Sequence, residues 1–234
     1  MAVENFSQPR TATPGRAVAS RRSHAIYGEL QREIVLGVLA PRSSLLELEL
    51  AARFQVSQGT IREALLLLQE EGLVLRQPHR GTNVVDCRAE DAEELIHLRH
   101  DIECRGLRRA MSRRGKAMAE PLRRHMDNMM AAATAGDEYL LSIHDRAFHT
   151  DLFEFADLPP IQPMLARCLI QVHRYKILHH EQQRNLEETA GRHQAIIDGL
   201  ESGDAEQAVL ALSHHITTIA DFGPSIITKP DGAE

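Results

Sequence analysis

The stretch VSQGTIREALLLLQEEGLVLRQPHRGTNVV, residues 56–85, decides the reading of this chain. It encodes a short polar turn, an amphipathic helix and a tight two-stranded hairpin with a basic tip. Ser57 is placed as an N-cap, since its hydroxyl can accept a hydrogen bond from an orphan N–H of the first turn. Ile61, Ala64, Leu65 and Leu68 fall at i, i+3, i+4 and i+7 and make one buried face. Gly72 is placed to end the helix in a left-handed conformation. Gln58, Gly59, Thr60 and Arg62 then point outward at the helix start. They are small or hydrogen-bonding residues at the end of a helix that a major groove admits.

Upstream, Leu46, Leu50, Ala51 and Phe54 give a second apolar stripe, on a helix ending at Gln55-Val56-Ser57. Two short helices joined by such a turn form a helix-turn-helix. Downstream, Leu73–Gln77 and Thr82–Val85 flank Pro78-His79-Arg80-Gly81, a turn-rich tip. That hairpin reads as a wing, with Arg80 and Gly81 at the DNA. A plain helical hairpin beside a β-hairpin has the same outline. The order of helix, turn, outward-polar helix start and basic wing favours DNA binding.

Working outward, residues 1–22 are rich in Ser, Thr, Pro and Arg, with little to bury, and are expected to form a flexible arm. A first helix follows, with Ile26, Leu30 and Ile34 on one face and Gly37 closing it. The winged helix-turn-helix is assigned to residues 23–86. Beyond Asp86 the pattern changes to helices joined by short polar breaks. They are expected at Ala89–Arg113 (carrying Leu95, Leu98, Ile102 and Leu107), Pro121–Ala135, Asp137–Phe155, Pro159 to about His180, Gln182–Ser202 and Ala205–Phe222. Such a series forms an antiparallel bundle. The fold class is therefore mostly α: a winged helix-turn-helix, then a six- or seven-helix bundle over residues 89–222, with a flexible tail at 223–234.

Composition supports two segments of different chemistry. The 234 residues carry a net charge of −6. Residues 1–86 hold ten arginines against nine acidic residues, while residues 87–234 hold 17 basic against 24 acidic. The acidity thus belongs to the bundle, where 11 of the 13 histidines also lie. No apolar run approaches the roughly 20 residues of a bilayer span, and MAVENFSQPRTATPGR lacks a signal-peptide core. A cytoplasmic protein without membrane contact is expected. Cys87, Cys104 and Cys168 suit neither a disulfide framework nor a CxxC zinc site.

Asp145 and His149 sit four apart in HDRAFH, on one helix face. His193 belongs to the fifth bundle helix and His215 to the sixth. One carboxylate and three imidazoles converging from three helices would hold a divalent metal such as zinc, nickel or manganese. With so many histidines, coincidence or ordinary core and surface roles compete with that reading. His144 and His214, adjacent to proposed ligands, are set aside because neighbouring helix positions turn about 100° apart, and His179 and His180 because a pair near a helix end suits surface capping. A divalent ion held by one Asp and three neutral His keeps one surplus positive charge, and an open position there favours an anion such as a carboxylate. Arg99, in HLRHDIE, could clamp that carboxylate. A salt bridge to Glu103, four residues on, is the simpler role for it.

Together these residues resemble the GntR family of bacterial transcription regulators, and within it the FadR-type branch with an all-helical ligand-binding (FCD) domain. The resemblance covers about residues 24–222. It rests on PRSSLLELELAARFQVSQGTIREALLLLQEEGLV and HRGTNVV for DNA binding, and on LRHDIE, DRAFH, RHQAIIDGLESGDAEQA and HHI for the second domain. It implies a metal on Asp145, His149, His193 and His215, and a carboxylate effector at Arg99. The family usually has Arg where this chain has Gln58, Pro at Gly59, and Gly at Arg42. Gln58 can still read a base edge, most naturally adenine.

The expected function is a homodimeric, ligand-responsive regulator, most often a repressor in this family, on a near-palindromic operator. A metal-sensing regulator is the alternative. A metal-dependent hydrolase fused to a DNA-binding domain is a further one, although no HExxH-type general base accompanies the site.

Overall fold

The computed structural model describes residues 14–77, 81–179 and 185–218. The chain opens with α1 (Pro14–Val35), followed by β1 (Ser44–Leu45), α2 (Glu47–Phe54), α3 (Gln58–Glu70), β2 (Val74–Gln77) and β3 (Gly81–Val84). Ser57 Oγ accepts from the Thr60 N–H at 3.2 Å, so α3 starts where the sequence places it. At its other end Gly72 takes φ +74°, and the Leu73 N–H reaches back to the Leu68 carbonyl at 2.9 Å. That is a Schellman closure, which glycine permits because it has no Cβ to clash in the left-handed region. Ile61, Ala64, Leu65 and Leu68 are all fully buried. Each of the larger three contributes about 1.5–3 kcal/mol by leaving water.

The two-stranded hairpin expected from sequence forms, and a third strand joins it. β3 pairs antiparallel with β2 and also with β1, Ser44 opposite Asn83 and Leu45 opposite Thr82. β1 buries Leu45 and leaves Leu46, which was assigned to the buried stripe of α2, half exposed at the helix start. α1 begins at Pro14, inside the segment expected to be a flexible arm. Proline suits a first helical turn, where no N–H partner is needed. Residues 1–13 and the predicted tail at 223–234 lie outside the described residues.

The bundle contains seven α-helices among the described residues: α4 (Ala89–Arg114), α5 (Ala119–Thr134), α6 (Glu138–Glu154), α7 (Gln162–His179), α8 (Leu186–Gly191), α9 (Gln194–Ser202) and α10 (Ala205–Thr217). The helix expected to run unbroken from Gln182 to Ser202 is divided at Arg192-His193. There the His193 N–H reaches the Ala190 carbonyl and the Ile196 N–H reaches that of His193, three residues back rather than four. This tightened turn resets the helix axis and leaves His193 fully buried. Close helix approaches fix the bundle. A Cβ on Gly199 would meet the Ala208 backbone at 2.6 Å, and one on Gly106 would meet the Phe153 ring at 2.5 Å.

On α4 the buried face also departs from expectation. Leu98 is exposed, and the buried stripe runs through Ala92, Ile96, Arg99, Glu103, Leu107 and Ala110. An apolar count misses it because two charged residues occupy core positions. One hydrophobic cluster fills the bundle. A second fills the winged unit and takes in Tyr139 of α6 and Ile170 of α7. Among the described residues no helix is long and apolar enough to cross a membrane.

Candidate functional site

At the start of α3, Gln58, Gly59 and Arg62 are exposed and Thr60 is half buried. The Thr60 hydroxyl lies 3.0 Å from Ser57 Oγ, so capping and side-chain placement are coupled. Arg62 Nε donates to Glu47 Oε2 at 2.7 Å, and Arg76 reaches the other oxygen of Glu47 at 3.5 Å. Glu47, in the first turn of α2, was not singled out from sequence, yet it holds two arginines at this surface. Gly81 is exposed with φ +81° at the tip end of the wing, opposite Gln77. Arg80 lies outside the described residues. Arg42 adopts φ +65°, a left-handed conformation costly for any residue with a Cβ, and its guanidinium pairs with Asp86, Nε to Oδ2 at 2.9 Å.

In the bundle, Asp145 and His149 of α6, His193 between α8 and α9, and His215 of α10 are all buried, and one ligand atom from each lies within 4.8 Å of the others. Asp145 Oδ1 is 3.2 Å from His193 Nε2, and Oδ2 is 3.8 Å from His149 Nε2. His149 Nε2 and His215 Nε2 are 3.3 Å apart. The opposite ring nitrogens set the tautomers. His149 Nδ1 donates to Glu103 Oε2 at 2.6 Å, and His193 Nδ1 donates to the Ala190 carbonyl at 3.1 Å. Both Nε2 lone pairs are thereby aimed at the cluster centre, as in metal sites whose outer partners orient the ligands.

Protonation also suits a cation. Burial alone would raise the Asp145 carboxyl, but His173 and His193 outweigh it and hold it well below the ordinary carboxylate range. Burial pushes His149 down despite Glu103, and pushes His215 well below its ordinary value, helped by His193 and His149. An ionised carboxylate with neutral imidazoles is the state a divalent ion requires. Asp145 Oδ2 and His193 Nε2 are buried and close to other polar atoms, yet neither has a hydrogen bond of acceptable geometry. The donor set therefore fits a metal.

Arg99 and Glu103 are fully buried beside this cluster. Arg99 Nε donates to Glu103 Oε1, so the salt bridge anticipated as the simpler role exists. It engages one face of the guanidinium only. Nη1 and Nη2 are buried and have no hydrogen-bond partner. Glu103 thus links Arg99 to the His149 ring. Burial opposes its ionisation, but Arg99 and His149 hold its carboxyl below the ordinary value.

Two further residues were missed from sequence. His173 of α7 places Nε2 2.8 Å from Asp145 Oδ2, and burial pushes its pKa down to about 4 despite that carboxylate. Lys176, one turn on, is also buried. Lys176 follows Leu165, Leu169 and Val172 along the buried stripe of α7, so the available signal was a cation on an apolar face. The histidines set aside behave as geometry requires: His144 is half buried, His179 and His214 are exposed, and His180 lies outside the described residues.

The same helices reach the winged unit. Tyr139 of α6 donates its hydroxyl to Gln31 Oε1 of α1 at 2.7 Å, and Gln31 Nε2 donates to Glu71 at the end of α3. From α7, Gln171 Nε2 donates to the Gly72 carbonyl at 2.7 Å and Arg167 to the Gln69 carbonyl at 3.2 Å. Arg174 Nη2 donates to the Val85 carbonyl at 2.7 Å. The far end of α3 therefore rests on the two helices that carry Asp145, His149 and His173.

Comparison with known proteins agrees with this architecture. The family described as bacterial regulatory proteins, gntR family, matches residues 22–84, and the FCD domain matches residues 94–218. The chain is 32% identical over 222 residues to the HTH-type transcriptional regulator BphR of Paraburkholderia xenovorans, covering 88% of this chain and 89% of that protein. It is 26% identical to the HTH-type transcriptional repressor RspR of Escherichia coli, covering 84% and 86%. A solved GntR transcriptional regulator from Rhodococcus sp. RHA1 superposes with a TM-score of 0.65 at 26% identity, covering 84% of this chain and 94% of that one.

Proposed function

Because this chain belongs to the gntR family of bacterial regulatory proteins and carries an FCD domain, and so is a transcriptional regulator rather than an enzyme, we propose that it is a homodimeric repressor released or recruited by a small organic acid. Asp145, His149, His193 and His215 hold one divalent metal ion. The ion supplies a Lewis-acidic position for the effector carboxylate, and Arg99 supplies the bidentate partner. The observation that carries this reading is the pair of buried, unpartnered Arg99 Nη atoms beside a ligand set whose tautomers are already fixed. A guanidinium buried with two idle donors is costly unless an anion completes it.

On the DNA side, Gln58, Gly59, Thr60 and Arg62 enter the major groove, while Arg80 and Gly81 of the wing approach the backbone. So small a recognition surface gains specificity by dimerising on a near-palindromic site. RspR is named a repressor, which supports the same sign here. Effector binding shifts α6 and α7, and the bonds at Gln31, Gly72 and Gln69 transmit the shift to α3. Such coupling is reciprocal, so operator DNA weakens an effector that releases it.

The test is fluorescence anisotropy of the metal-loaded protein on DNA from its own promoter region, with a panel of carboxylic acids. A change in operator affinity with an acid, lost in chelator-stripped protein, is the expected result. An operator affinity unmoved by every acid but switched by the metal itself would overturn the effector reading and make the ion the signal.

A further inference from the structure

The outer face of α4 carries features that neither the metal site nor the DNA-binding surface uses. Glu94, Leu98, Asp101 and Arg105 follow at intervals of four, three and four residues, so they stand on one side of the helix. Leu98, expected in the core, is 53% exposed there. On the neighbouring α10, Leu210 is 71% exposed and lines a shallow groove with His100, Cys104 and Arg108 of α4.

Charge is segregated along this helix. Glu90, Asp91, Glu93 and Glu94 occupy its first half, and Arg105, Arg108 and Arg109 its second, all of them exposed. A helix dipole favours acid in the first turn and base in the last, but the effect fades within one turn. Glu94 lies in the second turn and Arg105 more than two turns from the end, so the dipole does not account for them. Asp91 is held by Arg88, and Arg108 by Glu206. Glu94 has no ion pair among the described residues, and Arg105 reaches only Asp101, at 3.9 Å. Glu94 and Arg105 cannot meet within one helix, since eleven residues at 1.5 Å each set them about 16 Å apart.

We propose that α4 pairs antiparallel with α4 of a second copy of this chain, about a twofold axis between Leu98 and Asp101. This rests on the homodimer reading and names its surface. The axis sets Glu94 of each subunit against the partner's Arg105, twice by symmetry, and brings Leu98 beside the partner's Leu98. One patch thus complements itself, as an isologous interface requires. The opposite face of α4 holds Arg99 and Glu103, so the interface and the effector site share one helix.

The experiment is sedimentation velocity on a dilution series of the metal-loaded full chain without DNA. Glu94→Arg and Arg105→Glu are each compared with the wild type and with the double reversal. All these positions are exposed, so circular dichroism and metal content stay at wild-type values and a lost dimer is not an unfolded one. Each single reversal opposes like charges twice across the axis and raises the dimer dissociation constant about tenfold or more. The double reversal restores opposite charges and returns it to within about threefold of wild type. A dimer unmoved by either single reversal, or weakened by both and not restored by the double, overturns this interface and leaves the homodimer reading standing. A wild type that stays monomeric throughout the series overturns this interface, and if it also binds operator as a single copy, the homodimer reading falls with it.

Discussion

Tyr139 donates its hydroxyl to Gln31 Oε1 at 2.7 Å, joining the helix that carries Asp145 and His149 to the first helix of the winged unit. Both residues are buried, and Gln31 passes the connection on to Glu71 at the end of the recognition helix. The ligand cluster lies six to ten residues along the same α6 from Tyr139. A rigid helix of that length carries a displacement at Asp145 to this junction with little loss.

Tyr139→Phe keeps the ring packed in the winged core but removes the hydroxyl and strands Gln31 Oε1. A stability loss of about 1–2 kcal/mol is expected from one buried bond with an orphaned partner. Metal content and basal operator affinity stay near wild type, while the effector-induced change in operator affinity shrinks. Anisotropy titrations with and without effector measure it. A full-sized response in this variant removes Tyr139 from the coupling route.

Arg62→Ala is expected to lose about 1–3 kcal/mol of operator affinity without loss of fold. Arg62 is exposed, and its partner Glu47 keeps its contact with Arg76, so its removal leaves no buried charge unpaired. Glu47→Gln tests the same surface from the other side. It frees Arg62 and Arg76 together and adds positive potential, so non-specific DNA binding strengthens while discrimination between operator and random sequence falls. Gel-shift titrations on both DNAs at fixed salt read the two effects.

His193→Ala and His215→Ala should each remove most of the bound metal. Their ligand atoms come from outside α6, so the ion ties α6 to the α8–α9 junction and to α10. Elemental analysis of untagged protein and melting with and without chelator are the measurements, and the chelator-dependent drop in melting temperature should vanish in both variants. Full occupancy in both would make the cluster a coincidence of buried histidines.

The winged unit was legible because each of its signals is local. Ser57 caps its own helix, Gly72 closes it, and the spacing of Ile61 to Leu68 states which face is buried. The third strand was not legible, because Ser44-Leu45 acquires its partner only through β3, some forty residues away. In the bundle, Asp145, His149, His193 and His215 could be named from spacing and resemblance, but their surroundings could not. Arg99 and Glu103 stand on the buried stripe of α4, and Lys176 on that of α7. Polar residues on an apolar stripe lower its apparent hydrophobicity, so counting apolar residues hides the positions that matter here. The pairing of His173 with Asp145 depends on how α6 meets α7, which sequence spacing does not encode.

Acid sensitivity follows from the buried imidazoles. In the chelator-stripped protein, His149, His173 and His215 have folded pKa values below the ordinary 6.5, His173 at about 4. Below pH 6.5 the unfolded chain therefore binds more protons than the folded one. Stability is full above that pH and declines as pH falls toward 4. Asp145 and Glu103, with depressed carboxyl values, add their loss only below the ordinary carboxylate range. Urea midpoints measured from pH 8 to pH 5 should be level down to about 6.5 and then fall. Midpoints that stay level to pH 5 would show that these rings are not buried neutral.

Arg99 needs a gentler substitution than truncation. Arg99→Ala would leave the buried Glu103 carboxylate with His149 as its remaining partner, and breaking a buried pair in this way costs about 3–5 kcal/mol. A lost effector response in such a variant would say little about effector contact. Arg99→Lys keeps a cation beside Glu103 while removing the two idle Nη donors. If those donors hold the effector carboxylate, Arg99→Lys retains metal and operator affinity but responds to effector only at concentrations about tenfold higher or more, since a single ammonium cannot reproduce a bidentate clamp. If Arg99 serves Glu103 alone, the lysine variant responds as the wild type does. Operator anisotropy as a function of effector concentration separates the two outcomes. A normal response curve would remove Arg99 from the effector site and leave the DNA-binding surface of α3 untouched.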